Sequence, residues 1–407
     1  MHILPISMAE QLKKRPVIAI LSNFPLWVAL GKKRAHNRHY AVWLAALFEA
    51  FAATECPFEI HWVTLTNEYR LPRRFEAGGQ FFHAIPRWPR RWGIHTRFLW
   101  DRLMLLREVK RIHPDLVHSW GSEDCYGLAN RMYRGKRLHS VQGSLKKYCE
   151  LASFDAYTRK LASWESRVWK EIGLLTTESP WAANAVLESA PDAHPVLWEY
   201  AVEKLFFDTP RQLAPEPTCL YAGSDSSVKN VALLLDIFSR PELSHVRLVL
   251  AGVSAERHPG LPSNISCLGR VDREKMATLL SQAWALVHPS LADTGPTIVK
   301  EARVMRLPVI LSNRCGSAQH VEEGKSGFIL DPCDGKAWMK AILQVTQSRE
   351  QSLSMGAFGS DVCRRKLSAD TMVHELLELY SGILGVGENW QATRLRFLTE
   401  FSDTVRE

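Results

Sequence analysis

The chain has 407 residues, 46% of them hydrophobic and 23% charged, with a formal net charge of +8. Such a length exceeds one ordinary core and predicts two domains, while the composition excludes a disordered or low-complexity protein. Eight cysteines, at 56, 125, 149, 219, 267, 315, 333 and 363, form no Cys-x-x-Cys pair, which argues against a zinc cage or disulfide framework and fits reduced thiols in a cytoplasmic protein.

Lys13, Lys14 and Arg15 precede an apolar run that imitates a secretory leader, but Ser22, Asn23 and Pro25 interrupt it. The uncharged stretch 16–31 is also shorter than the ~20 residues needed to span a bilayer, so a buried first strand is expected there. Short β-branched or aromatic runs at 17–22, 58–66, 80–85, 116–120, 138–142 and 174–178 alternate with amphipathic stretches such as 40–52 and 99–112. That rhythm predicts a largely parallel sheet. Between 70 and 111 lie eleven Lys or Arg against three acids (Glu76, Asp101, Glu108), interleaved with aromatics in RWPRRW (87–92) and RFLW (97–100). Two readings stand at this point. One is a solvated basic face with the tryptophans packed inward; the other is a surface for an anionic membrane or an acidic acceptor, with no nucleic acid expected.

The stretch 206–217 is proline-rich and aperiodic, as a linker would be. A second series of short apolar runs follows it, at 219–223, 246–251, 265–268, 285–288, 308–312 and 327–330. The fold class expected is therefore α/β, with two doubly wound Rossmann-like domains at 1–209 and 210–385 facing a central cleft at the carboxyl ends of their strands. A helical tail at 386–407 either returns to the first domain or does not. No Gly-x-Gly-x-x-Gly follows a predicted strand, which sets aside a dinucleotide-dependent oxidoreductase.

The most informative segment is HPSLADTGPTIVKE (288–301): a strand end, a loop holding Asp293 and Gly295, and Pro296 and Thr297 opening a helix. Free amides and the positive end of that helix suit a diphosphate. Glu301 lies just over one turn along, placed to accept a ribose diol. Asp293 sits in the loop, where it can take hydroxyls of a sugar.

These residues resemble the donor site of glycosyltransferase family 4, retaining enzymes of the GT-B fold, in which two acids are separated by seven residues. Glu301 matches the second acid, and Asp293 stands where glutamate is usual. The resemblance spans 220–384 through Tyr221-Ala-Gly223, Lys229-Asn230, Leu248 to Gly252, Leu268-Gly269, the acid segment, and Gly316 to Leu330. It implies a nucleotide-sugar donor, UDP- or GDP-linked, with no further cofactor. Lys229 then serves the diphosphate and Gly223 its approach, Ser224 replaces a customary arginine, and Arg270 and Val271 form the turn beneath the nucleobase. In the first domain it places Gly31 near the diphosphate, His118 near the transferred sugar, and Gln142 where the family often has histidine; for His118 a core role stands equally open. Arg38 and His39, in the basic loop after Gly31, fall on the acceptor or sugar side.

No Asp-x-Asp occurs, so the resemblance implies metal-free transfer of a sugar to a glycan or lipid-linked acceptor, in cell-envelope polysaccharide or other glycan synthesis. Two alternatives remain at this stage: a nucleotide-sugar epimerase or hydrolase in the same cleft, or an inactive basic binding protein. The setting expected is cytoplasmic, with peripheral attachment to the inner face of a membrane as a further expectation.

Overall fold

The computed structural model describes residues 15–32 and 41–386, apart from the side chains of residues 90 and 91. The first sheet comprises β1 (Val17–Leu21), β2 (Glu59–Thr66), β3 (Arg73–Ala77), β4 (Gln80–Pro86), β5 (Leu116–Trp120), β6 (Lys136–Val141), β7 (Leu174–Thr177) and β8 (His194–Leu197). Their order is β3-β4-β2-β1-β5-β6-β7-β8, and every pair is parallel except β3 with β4. The second sheet comprises β9 (Thr218–Ala222), β10 (Arg247–Ala251), β11 (Ile265–Gly269), β12 (Ala285–His288), β13 (Val309–Ser312) and β14 (Gly327–Leu330). It is wholly parallel in the order β11-β10-β9-β12-β13-β14.

Helices cover both faces of each sheet, which is why the central strands are apolar runs without alternation: every residue of β1, β5, β9, β12 and β13 is buried. Successive residues feed different cores. Ile18 and Ile20 join one cluster, Ala19 and Leu21 the other. β3 is different, a charged edge strand, RRFEA, turned back on β4 through Gly78 and Gly79, both at positive φ. That glycine pair suits a two-residue hairpin turn.

The element that returns to the first domain is the helix Ala369–Leu384, which lies inside the range 210–385 assigned to the second domain from the sequence. Met372, Val373, Leu376 and Tyr380 join the core around β1 and β2, and Trp198 donates its indole N–H to the carbonyl of Met372 at 3.0 Å. Its amphipathic stripe is satisfied only there, because the second sheet is already covered. The tail 387–407 lies outside the described residues. Among the described residues no helix is long and apolar enough to cross a membrane.

Candidate active site

The carboxyl ends of the second sheet form the floor of an interdomain cavity of about 540 Å³. Gly252, at φ +95, lets β10 pass beside β9: a Cβ there would stand 2.2 Å from the Gly223 carbonyl oxygen, so any side chain would push the two strand ends apart. Lys229 closes a short 3₁₀ turn, Ser227–Lys229, and Asn230 follows at φ 53. The Asn230 amide donates to the carbonyls of Pro289 (3.2 Å) and Pro332 (3.0 Å), fixing the turn against the acid loop.

In that loop the Asp293 carboxylate is bound by the Lys229 ammonium and, at 3.1 Å, by His288 Nε2. Burial pushes the Asp293 carboxyl up, yet Lys229 and His288 outweigh it and hold its pKa below the ordinary carboxylate range. The loop is also clamped to the first domain. The Thr294 hydroxyl donates to the Gln142 carbonyl (2.6 Å), and the Ser179 hydroxyl donates to the Thr294 carbonyl (2.6 Å). Gly316 is required behind it, since a Cβ would lie 1.9 Å from the Thr294 carbonyl oxygen.

Pro296 is the N-cap of the helix Thr297–Val304 rather than its first turn, with no side chain capping the first amides. Thr297 and Ile298, which open that helix, line the cavity. Glu301, 1% exposed, accepts Arg273 Nη2 on Oε1 at 2.6 Å. Arg273 in turn binds Glu203 and lies over the Phe206 ring at 4.5 Å. Burial raises the Glu301 pKa against the lowering effect of Arg273. A buried carboxylate with one oxygen held is thus presented to the cavity.

Ten residues singled out from the sequence line this one space. They are Gly223, Ser224, Lys229, Arg270, Val271, Asp293, Gly295, Pro296, Thr297 and Glu301. Ser224 offers only a hydroxyl, 3.2 Å from that of Ser226. Gly31 sits in a turn at φ +59 and does not line the cavity, and neither does Gln142, whose carbonyl belongs to the domain clamp. Arg38 and His39 lie outside the described residues.

His118 is a core residue. Its Nδ1 meets the Tyr380 hydroxyl at 2.7 Å and its Nε2 the Ser140 hydroxyl at 2.8 Å, with Trp120 stacked on the ring at 4.1 Å. Burial drives its pKa well below the usual histidine value. His118→Asn should therefore lower stability by about 1 to 3 kcal/mol while leaving kcat of the folded protein within roughly twofold. A hundredfold fall in kcat at unchanged thermal midpoint would return this residue to the site.

Sequence reasoning passed over Arg273, His288, Trp43 and Lys300. Trp43 lines the cavity from the first domain, and its buried indole N–H has no hydrogen-bond partner among the described residues. Lys300, one residue before Glu301, is buried and reaches across the domain boundary to the Glu178 carboxylate and, at 3.0 Å, to the Tyr200 carbonyl. Nothing in the helix pattern separates such a lysine from a solvated one.

Residues 206–361 match the family described as glycosyl transferases group 1. The chain is similar to the D-inositol 3-phosphate glycosyltransferase of Corynebacterium urealyticum, 26% identical over 121 residues, which cover 30% of this chain and 28% of that protein. It is similar also to the alpha-1,3/1,6-mannosyltransferase of Schizosaccharomyces pombe, 27% identical over 126 residues, covering 30% and 25%. The matches thus span less than a third of these relatives' length. Across both domains the fold is GT-B. Sucrose-phosphate synthase from Thermosynechococcus elongatus superposes with a TM-score of 0.74 at 18% identity, covering 92% of this chain and 100% of that one. The Escherichia coli trehalose-6-phosphate structure bound with UDP-2-fluoro glucose gives 0.64 at 12% identity, covering 91% and 99%.

Proposed function

We propose that this group 1 glycosyltransferase moves a sugar from a UDP- or GDP-linked donor to a glycan or lipid-linked acceptor, with retention and without a metal. It would work in the cytoplasm, with a lipid-linked acceptor presented at an anionic membrane surface. The observation that carries this reading is the convergence of Lys229, Asp293, Glu301 and an uncapped helix start on one cavity. Lys229 and the first amides of the helix supply the positive field for a diphosphate, and the lysine exchanges Asp293 for phosphate oxygens as charge develops on the leaving group. Asp293, kept ionised, accepts hydroxyls of the transferred sugar. Glu301 has its second oxygen for the ribose diol.

Asp293 is already bound by two groups, which makes it a poor nucleophile. Attack by the acceptor hydroxyl on the face the diphosphate leaves accounts for retention without a glycosyl-protein intermediate. Incubation with a panel of nucleotide sugars should release nucleoside diphosphate for at least one donor, with the labelled sugar found on an acceptor. Glu301→Gln should raise the donor KM roughly 10- to 100-fold, as expected for a lost charged hydrogen bond. Release of free sugar alone would make the protein a hydrolase, and no turnover of any donor would sink the reading.

A further inference from the structure

The RWPRRW and RFLW segments take no part in the donor cavity, and the structure turns their tryptophans outward. Arg97 (φ 51) and Phe98 (φ 54) are consecutive non-glycine residues in the left-handed region, a conformation that costs on the order of 1 to 3 kcal/mol each and calls for a reason. That corner sends Phe98 into the core, edge-on to Trp164 at 6.3 Å. Gly93 makes room for it, since a Cβ there would stand 2.6 Å from the Phe98 ring. The next helix, Leu99–Ile112, consequently starts with Leu99, Trp100 and Leu103 on its outer side. Trp92 is 60% exposed, Trp100 54% and Trp88 49%, and they border a groove of about 420 Å³. The arrangement is held from within: the Trp88 backbone N–H donates to Asp101 at 2.9 Å, and the Trp88 and Trp100 rings lie 6.2 Å apart.

One and two turns further along the same helix face come Arg107, Lys110 and Arg111, all exposed, with Arg97 exposed at the corner. The two acids between 88 and 112 are both buried. Asp101 holds the Trp88 amide, and Glu108 is bound by Arg74 (2.6 Å) and His83 (2.7 Å). The outer face of this stretch therefore carries indoles and cations with no exposed acid.

We propose that this face seats the first domain on an anionic bilayer, with the indoles at headgroup depth and the cations against lipid phosphates. Exposed tryptophans have that interfacial preference, and each basic residue near an anionic surface adds to the attraction. A polyanion in water would use the cations but leave the indole groove unfilled. The face is tied to the first sheet: Arg87, next to Trp88, pairs with Asp124 in the loop after β5. The inference rests on the membrane part of the proposed function and is independent of sugar transfer.

The test uses the full chain with vesicles holding neither donor nor acceptor, so failure of docking and failure of transfer are separately visible. Wild type should sediment with phosphatidylcholine vesicles containing phosphatidylglycerol, and much less with phosphatidylcholine alone or in high salt. Trp92→Ser/Trp100→Ser, checked for fold by circular dichroism, should lower the bound-to-free ratio at least about tenfold. Arg107→Glu/Arg111→Glu should do the same for anionic vesicles only. Equal partitioning of wild type and both variants would overturn the proposal. So would a concentration-dependent dimer abolished by the tryptophan variant, or heparin retention without vesicle binding.

Discussion

Lys229→Ala should lower sugar transfer by at least 10²- to 10³-fold, the scale on which deleting one preorganised charge partner acts. Lys229 is paired directly with Asp293 in the cavity, and Ser224 leaves only a hydroxyl where an arginine is implied. The lysine also holds the Asp293 carboxyl low. Its removal should weaken donor binding and raise the Asp293 pKa at once, so Lys229→Ala/Asp293→Asn should be hardly worse than Lys229→Ala alone. Residues acting as a unit are non-additive in that way. Near-normal turnover by the single variant would remove the site assignment. Strictly additive losses would show that the two residues act on separate steps.

The two members of that ion pair were singled out separately from the sequence because each belongs to a local pattern, whereas their pairing was not read. Lys229 follows a strand and turn, and Asp293, Pro296 and Glu301 sit within one strand-loop-helix unit whose chemistry is set by spacing. His118 lay at a strand end just as plausibly, but its fate is decided by Tyr380, 262 positions away on a helix that crosses back to the first domain. No local pattern carries that pairing. The helix Ala369–Leu384 carries an apolar stripe, but a stripe does not say which sheet it meets, and from the sequence the returning element was sought only in the tail after it. The tryptophans at 88, 92 and 100 were open to two readings because periodicity does not foresee a left-handed corner at Arg97 and Phe98, and it is that corner which exchanges inside for outside. β3 went unread because its charged side chains suppress the apolar signal of an edge strand, although the Gly78-Gly79 pair was visible.

Lys300→Met should be the most damaging substitution for stability, at about 3 to 5 kcal/mol, because it leaves Glu178 buried without its cation. The cost should depend on pH in a direction the geometry fixes. Burial raises the Glu178 pKa in the native protein even with Lys300 beside it, and removing Lys300 raises it further. A carboxyl whose folded pKa exceeds its unfolded one is no burden below the unfolded value and becomes one as pH rises through the folded value. The difference between variant and wild type should thus be smallest in acid and widen toward neutrality. A second boundary pair runs the other way in both proteins. Glu199 is buried, but His320 and Lys366 hold it down at about 2, so its contribution is full above the ordinary carboxylate range and is lost as pH falls through that range toward 2. Comparing the two proteins at each pH cancels this shared acid loss. Glu178→Gln added to Lys300→Met should recover part of the stability, since the uncompensated charge is then gone. A pH-independent difference, or no recovery in the double variant, would mean that Lys300 acts through packing alone. Because Lys300 and Glu301 are neighbours on one helix, the residue that ties the domains together also holds the helix that carries the proposed donor carboxylate. Lys300→Met should accordingly raise the donor KM of the molecules that remain folded.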